Sequence, residues 1–87
     1  MPEPTARRLE RLITAAWEEV LGPGEIGPDD NFLALGGNSL QAVRIVARLE
    51  EDLDADLSVR DLLETQSVRR MSERLAGILG RAEDGRY

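Results

Sequence analysis

The sequence predicts a small all-α domain: a four-helix bundle of three longer helices and one short helix, with a long first loop. Apolar residues recur at the 3.6-residue spacing of amphipathic helices. No segment shows the two-residue alternation of a half-buried strand. With 87 residues, 41% of them hydrophobic, the chain can form one core. We expect a flexible arm over residues 1–5, one domain over residues 6–79 and a flexible tail over residues 80–87.

The first helix is expected from about Ala6 to Leu21. Its apolar residues fill one arc about 140° wide. They are Leu9, Leu12, Ile13, Ala16, Trp17 and Val20. Trp17 is expected in the core, and Gly22 followed by Pro23 is expected to end the helix.

A long loop is expected over residues 22–38, because this stretch is rich in Gly, Pro, Asp and Asn. It also holds Phe32, Leu33 and Leu35, the densest apolar cluster outside the helices. Phe32 is expected to anchor the loop in the core, whereas Leu33 is the weaker candidate for a buried position. Long loops with apolar anchors of their own are packed against the domain and are often functional.

The second helix is expected from Ser39 to about Asp52. Its core-facing arc consists of Ala42, Ile45, Val46, Leu49 and Leu53. Leu40, Val43 and Ala47 form a strip beside that arc. The strip is either the edge of the core, which we expect for Val43, or a small exposed apolar patch, an interpretation that stays open for the other two.

Two further helices complete the bundle. A short helix is expected over residues 59–64, with Ser58 as its N-cap and Asp61 at the capping-box position. The last helix is expected over residues 68–79, and Gly80 is expected to end it. Its apolar face consists of Val68, Met71, Leu75, Ile78 and Leu79.

Missing residue types exclude most enzymatic chemistry. The chain has no Cys, no His and no Lys, so it lacks the usual thiolate nucleophile, imidazole base and Schiff-base amine. The run Asp52–Asp56 has the opening spacing of a calcium loop, but Leu57 and Leu63 stand where such a loop needs Gly and Glu. We therefore expect neither catalytic residues nor a metal site.

Net charge bears on the class of partner. A formal charge of −6 argues against nucleic acid and against an anionic membrane surface. No stretch approaches the ~20 apolar residues of a membrane span, and residues 1–4 show no apolar signal segment. A cytoplasmic monomer is the expectation.

The most informative short motif is LGGNSL, residues 35–40. Gly36 and Gly37 free the backbone from ordinary φ restrictions just before a helix. Ser39 then stands where unpaired N–H groups and the positive end of the helix dipole favour an anion, which suits it to become a phosphate ester. On this motif alone, a simpler interpretation is favoured: Ser39 is an N-cap and the preceding residues make an ordinary turn.

The longer stretch of sequence around the motif favours modification of Ser39 over the simpler N-cap interpretation. Residues 30–40 (DNFLALGGNSL), in a four-helix layout, closely resemble the peptidyl carrier proteins, or thiolation domains, of nonribosomal peptide synthesis. The resemblance continues through residues 41–49, 57–64 and 65–68 and covers about residues 6–79. The free-standing type is expected, with an acyl-carrier-like fold.

This resemblance implies a carrier that is not itself an enzyme. Ser39 would accept 4′-phosphopantetheine from coenzyme A through a separate phosphopantetheinyl transferase that uses magnesium. The thiol of that arm would hold an amino acid as a thioester. The implied partners are the transferase, an adenylation enzyme that activates the amino acid, and condensation or tailoring enzymes.

The sequence departs from the family pattern at three places. Asn38 stands where members usually have His or Asp, Asp54 where they commonly have Gly, and Gln66-Ser67 where Pro-Thr is frequent. None of these changes affects Ser39 itself.

Partner enzymes are expected to dock beside Ser39. The motif loop around Ser39 consists of Leu35, Gly36, Gly37, Asn38 and Leu40. The residues predicted for the docking surface are Leu33, Leu40, Val43, Arg44, Ala47, Arg48 and Leu63. Arg44 and Arg48, one helical turn apart, are expected either to pair with acidic partner residues or to be solvated.

Two other functions stay open. The first is an acyl carrier for polyketide or fatty-acid synthesis, although such carriers typically show Asp-Ser-Leu and a more acidic second helix, so that Asn38, Arg44 and Arg48 favour the peptidyl type. The second is a non-carrier helical interaction domain that docks a partner on an apolar face and leaves Ser39 unmodified.

Overall fold

The computed structural model describes residues 5–22, 24 and 26–84 of the chain. It contains four helices: α1 (Thr5–Leu21), α2 (Ser39–Leu53), α3 (Val59–Thr65) and α4 (Val68–Asp84). These residue ranges include no strand, and within them no helix is long and apolar enough to cross a membrane. The predicted all-α bundle with one short helix and a long first loop is confirmed.

One hydrophobic core holds the helices together. Helix α1 packs against α2 and α4, and α3 packs against the same two helices. The buried apolar residues are Leu9, Ile13, Ala16, Trp17, Phe32, Ala42, Ile45, Val46, Leu49, Leu62, Val68, Met71 and Leu75. Every helix contributes to this set, so burial of apolar surface accounts for the arrangement of the bundle.

Phe32 anchors the long loop in the core, as predicted. Its side chain is 0% exposed, and its ring meets that of Trp17 edge-to-face with centroids 5.3 Å apart. The Phe32 N–H donates to the Gln66 carbonyl oxygen at 2.7 Å. One loop residue thus connects α1 with the turn between α3 and α4.

A second tie fixes the loop to the start of α4. The Arg69 guanidinium donates to both carboxylate oxygens of Asp29, at 2.8 and 3.2 Å, and the Arg69 N–H donates to the Pro28 carbonyl oxygen at 2.9 Å. Both side chains of this ion pair are more than half exposed, so it directs the path of the loop more than it stabilises the fold.

Helices α3 and α4 are capped and joined by polar contacts. The Ser58 hydroxyl accepts from the Arg60 N–H at 3.1 Å, and the Asp61 carboxylate accepts from the Ser58 N–H at 2.9 Å, which confirms the predicted capping box. Arg74 donates to Glu64 at 2.7 Å. That hydrogen bond is the largest of the effects that raise the pKa of Arg74.

Both ends of the domain differ from the prediction. Helix α1 begins at Thr5, one residue earlier, and α4 continues through Gly80 to Asp84. Gly ends a helix when it adopts positive φ, as Gly22 does with φ +104° after α1, whereas Gly80 is not among the glycines with positive φ. The end predicted at Gly80 is therefore wrong. Residues 1–4 of the predicted arm and 85–87 of the predicted tail lie outside the described residues.

Helix α2 ends on a non-glycine residue in the left-handed region. Asp54 has φ 49° and ψ 52°, and its N–H donates to the Glu50 carbonyl oxygen. Members of the family that the sequence resembles commonly have Gly at this position. A residue with a Cβ atom is strained in this conformation, although Asp tolerates it better than most.

Asp54→Gly is therefore expected to stabilise the domain. Removing the Cβ strain should raise the free energy of unfolding by up to about 1 kcal/mol, partly offset by the greater entropy of Gly in the unfolded chain. Urea denaturation followed by far-UV circular dichroism measures the change. As a control, Ala47→Gly on the exposed side of the middle of α2 should lower the free energy of unfolding by about 1 kcal/mol. Equal destabilisation by both variants would contradict the argument.

Candidate functional site

The LGGNSL motif forms a tight turn that leads directly into α2. The N–H groups of Gly36 and Gly37 donate to the carbonyl oxygens of Leu33 and Phe32, both at 3.0 Å. Gly36 has φ +90°, a conformation that side chains with a Cβ atom rarely adopt. The first glycine of the motif therefore serves the turn itself.

The second glycine makes room for Phe32. A Cβ atom on Gly37 would lie 2.6 Å from Cε1 and Cε2 of the Phe32 ring and nearer still to Cζ. The buried ring thus packs directly against the Gly37 backbone. Because Gly37 directly precedes the cap residue Asn38, the core contact of Phe32 fixes the chain as far as the residue before the cap.

Asn38, not Ser39, caps helix α2. The Asn38 Oδ1 accepts from the Gln41 N–H at 2.9 Å, and the Gln41 Oε1 accepts from the Asn38 N–H at 3.0 Å. The two residues form a reciprocal capping box. The simpler interpretation of Ser39 as an N-cap is wrong, and Ser39 is instead the first residue of the helix.

Ser39 differs from the other serines of the chain. Of the four serines in the sequence, Ser58 and Ser67 accept hydrogen bonds from Arg60 and Arg70, and Ser72 donates to the Arg69 carbonyl oxygen. Ser39 is exposed. Its hydroxyl makes no hydrogen bond with any residue that the structure describes.

The surroundings of Ser39 favour a negative group. The N–H groups in the first turn of a helix lack intrahelical acceptors, and the helix dipole is positive there. Between residues 31 and 47, Arg44 is the only charged residue. Within the described ranges no group of His, Cys, Asp or Glu side chains is arranged to hold a metal ion. In a chain of net charge −6, the only formal charge in the sequence stretch around Ser39 is therefore positive.

Apolar side chains surround Ser39 on the outside of the domain. Leu33 is 56% exposed, Leu40 62% and Val43 49%, and Leu35 and Ala47 are exposed as well. The prediction of Val43 at the core edge is wrong, because no neighbouring helix covers that side of α2 in the described structure. Among the predicted docking residues, Leu63 is half-buried and packs against the core.

Arg44 and Arg48 have different surroundings, although the same role was predicted for both from the sequence. Arg48 donates to Glu19 of α1 at 2.6 Å and to Asp52 at 3.3 Å. Arg44 is exposed and forms no ion pair with any described residue. Of the two, Arg44 is the cation that can face a partner, whereas Arg48 joins α1 to α2.

Two features of the site are not among those predicted from the sequence. One is the capping box, although Asn38 followed by Gln41 has the capping-box spacing that was recognised at Ser58. The other is the contact between Phe32 and Gly37, which sequence spacing does not indicate.

Comparison with known proteins places this geometry in context. Residues 11–75 match a family model described as a phosphopantetheine attachment site. Gramicidin S synthase 2 of Brevibacillus brevis is 38% identical over 69 residues, which are 79% of this chain and 2% of that protein. The chain therefore spans only a small fraction of the length of this curated relative.

Two solved structures are similar along most of the chain. BlmI, a type-II acyl-carrier-protein from Streptomyces verticillus involved in bleomycin biosynthesis, superposes with a TM-score of 0.81 and 49% identity, covering 85% of this chain and 89% of BlmI. The A-PCP of McyG, complexed with phenylalanyl-adenylate, superposes with a TM-score of 0.74 and 32% identity, covering 86% of this chain and 11% of that one.

Gly37→Ala is expected to destabilise the domain by about 1–3 kcal/mol, because the added methyl group overlaps the buried Phe32 ring. Chemical denaturation measures the loss. Gly77→Ala is the matched control: nothing lies within 4 Å of its added Cβ, so the same change should stabilise α4 by about 1 kcal/mol. Combined with Phe32→Leu, Gly37→Ala should cost less than it does alone. Wild-type stability of Gly37→Ala would refute the steric argument.

Proposed function

The chain belongs to the family of phosphopantetheine attachment domains, and we propose that Ser39 is the serine on which it carries 4′-phosphopantetheine. It is a carrier protein domain homologous to the thiolation domains of nonribosomal peptide synthetases. Members of this family hold the arm covalently on a serine. The question for this chain is therefore which of its serines is modified.

One observation supports Ser39 over the other three serines. Its hydroxyl is exposed and makes no hydrogen bond with the described residues, whereas the Ser58, Ser67 and Ser72 hydroxyls each make a hydrogen bond with the backbone. A transferase can therefore reach Ser39 without breaking a structural contact. The dipole of α2 and Arg44 also favour the phosphodiester that modification adds.

The carrier supplies the nucleophile but not the base. Its chain has no His and no Lys, the side chains that most often act as general bases near neutral pH. We therefore propose that the transferase accepts the proton of the Ser39 hydroxyl. In that step the serine oxygen bonds to the phosphorus that carries the pantetheine arm, the pyrophosphate bond of coenzyme A breaks, and adenosine 3′,5′-bisphosphate leaves. This division of roles agrees with a domain that is a substrate of its partners and not an enzyme.

An amino acid is the proposed cargo, held as a thioester on the thiol of the arm. Support comes from the McyG A-PCP structure, which contains an activated amino acid, and from the gramicidin S synthase similarity. The 49% identity with BlmI, a type-II carrier protein, favours the free-standing type. Because BlmI is named an acyl carrier, acyl cargo is the second candidate. A loading assay with amino-acid-activating and acyl-activating enzymes separates the two. The family match does not support the non-carrier interaction domain.

The exposed apolar residues beside Ser39 are proposed as the docking surface. Leu40, Val43 and Ala47 lie at i, i+3 and i+7 on the outer side of α2, next to the unpaired Arg44. Leu33 extends the surface onto the loop. The proposed partners are a phosphopantetheinyl transferase, an adenylation enzyme and condensation or tailoring enzymes, met in turn by a cytoplasmic monomer. Tethering raises the effective concentration of the cargo at each of them.

Treatment of the wild-type protein with coenzyme A, magnesium and a broad-specificity transferase should add one phosphopantetheine, detected by intact-mass spectrometry. Ser39→Ala should add none, because the acceptor oxygen is absent. Ser58→Ala, which removes an engaged hydroxyl, should still be modified. Full modification of Ser39→Ala would reassign the site, and an unmodified wild-type protein would rule out the carrier function.

Substitutions on the outer side of α2 should raise KM for the carrier in the same transferase reaction. Leu40→Ala should raise it about five- to tenfold if the leucine inserts into the partner, and Arg44→Gln by a smaller factor. Arg48→Gln should change KM less than Arg44→Gln and should instead lower the free energy of unfolding by about 0.5 kcal/mol. Equal KM effects of the two arginine variants would contradict the distinction between them.

A further inference from the structure

We propose that Asn38 is a positioning residue for the modification of Ser39: by capping helix α2, it prevents the Ser39 hydroxyl from becoming the cap. The inference rests on the proposed role of Ser39 and concerns what keeps that hydroxyl available. Two residues in succession, Asn38 and Ser39, are of types strongly favoured as N-caps. Only one residue can cap a given helix, so the two compete for that position.

The structure shows which residue caps the helix. Asn38 has the extended backbone of an N-cap, with φ −134° and ψ 176°. Its Oδ1 accepts from the Gln41 N–H at 2.9 Å, and its carbonyl oxygen accepts from the Ala42 N–H at 2.9 Å. The bond from the Asn38 N–H to Gln41 Oε1, at 3.0 Å, closes the box. Ser39 is thereby left in the first helical position with an uncommitted hydroxyl.

A cap formed by Ser39 in place of Asn38 would make the Ser39 hydroxyl unavailable as the nucleophile. If Ser39 capped the helix, its backbone would become extended and its Oγ would accept from the N–H of Gln41 or Ala42. A hydroxyl directed at the N–H groups of its own helix no longer points toward an incoming phosphate. The Ser39 side chain thus cannot cap helix α2 and attack the phosphate at the same time.

Residue 38 alone decides between the two arrangements. On its N-terminal side, Gly37 is fixed by the overlying Phe32 ring and by its hydrogen bond to the Phe32 carbonyl oxygen at 3.0 Å. On its C-terminal side, the helix presents N–H groups that need an acceptor. Asn38 is the one residue between the fixed glycine and Ser39. Removal of its side-chain oxygen leaves Ser39 Oγ as the nearest replacement acceptor in the sequence.

The experiment compares substitutions at residue 38 with a matched control at another cap. Asn38→Ala removes the acceptor, Asn38→Asp retains it, and Asn38→Gly removes it with a much smaller loss of helix stability. Ser58→Ala removes the corresponding cap of α3 and so matches the stability loss away from Ser39. For each protein, kcat and KM for the carrier are measured with coenzyme A and a broad-specificity transferase. The Cα chemical shift of Ser39 is measured by NMR on the unmodified protein.

Asn38→Ala should lower kcat by up to about fivefold, because the loss of one typical cap changes the ratio of the two arrangements by about that factor. Asn38→Gly, which loses much less cap stability, should lower kcat by less than about twofold. KM should change little, since the hydroxyl is not part of the docking surface. The Ser39 Cα shift should move from helical toward extended values in both variants. Asn38→Asp should restore kcat and the helical shift, and Ser58→Ala should leave both at wild-type values.

Two results would overturn the proposal: wild-type kcat in folded Asn38→Ala and Asn38→Gly, or a loss of kcat that Asn38→Asp does not restore. The chemical shift provides a separate criterion, because an unchanged helical shift in Asn38→Ala would show that Ser39 never takes over the cap. Failure of the proposed function has a different signature. In that case the wild-type protein is not modified, while the Ser39 shift still reports which residue caps α2.

Discussion

The ring of Phe32 is buried between Trp17 and the backbone of Gly37, so the loop before α2 can follow only those paths that keep the ring in the core. A long loop has many conformations to lose, and a single aromatic anchor restricts most of them by burying a large apolar area. The Phe32 N–H adds a directional contact to Gln66. The chain leading to α2 is therefore fixed by the core, and the Asn38 cap, not a contact of Ser39, sets where the helix begins.

This arrangement separates the residues that stabilise the domain from those that remain available. The inner face of α2 is fully buried, whereas Leu40 and Val43 on its outer face are about half exposed or more. Burying Leu40 and Val43 would stabilise the domain, whose small core provides only marginal stability. Their exposure is consistent with a surface that binds several partners briefly, because contacts that must be released are small and left uncovered between encounters. Arg48 belongs to the residues that stabilise the domain, because its ion pair with Glu19 joins α1 to α2.

The helices follow from the sequence because their apolar periodicity is strong, and the anchoring role of Phe32 follows because it is the one aromatic residue in a turn-rich stretch. Contacts between residues that are far apart in the chain cannot be predicted from the sequence in this way. The ion pair of Arg48 spans 29 residues, and the exposure of Val43 depends on how far the neighbouring helices extend. Gly80 shows a local limit, since a glycine ends a helix only if its φ becomes positive.

The contact between Trp17 and Phe32 also has a spectroscopic consequence. Trp17 is the only tryptophan of the chain, and its ring centroid lies 5.3 Å from that of the loop anchor. Indole emission shifts to longer wavelength when water reaches the ring. An opening of the loop that withdraws Phe32 removes the aromatic ring that contacts the indole, so we expect the intrinsic fluorescence of the unlabelled protein to report the state of the segment leading to Ser39. The chain thus carries its own optical probe of that segment.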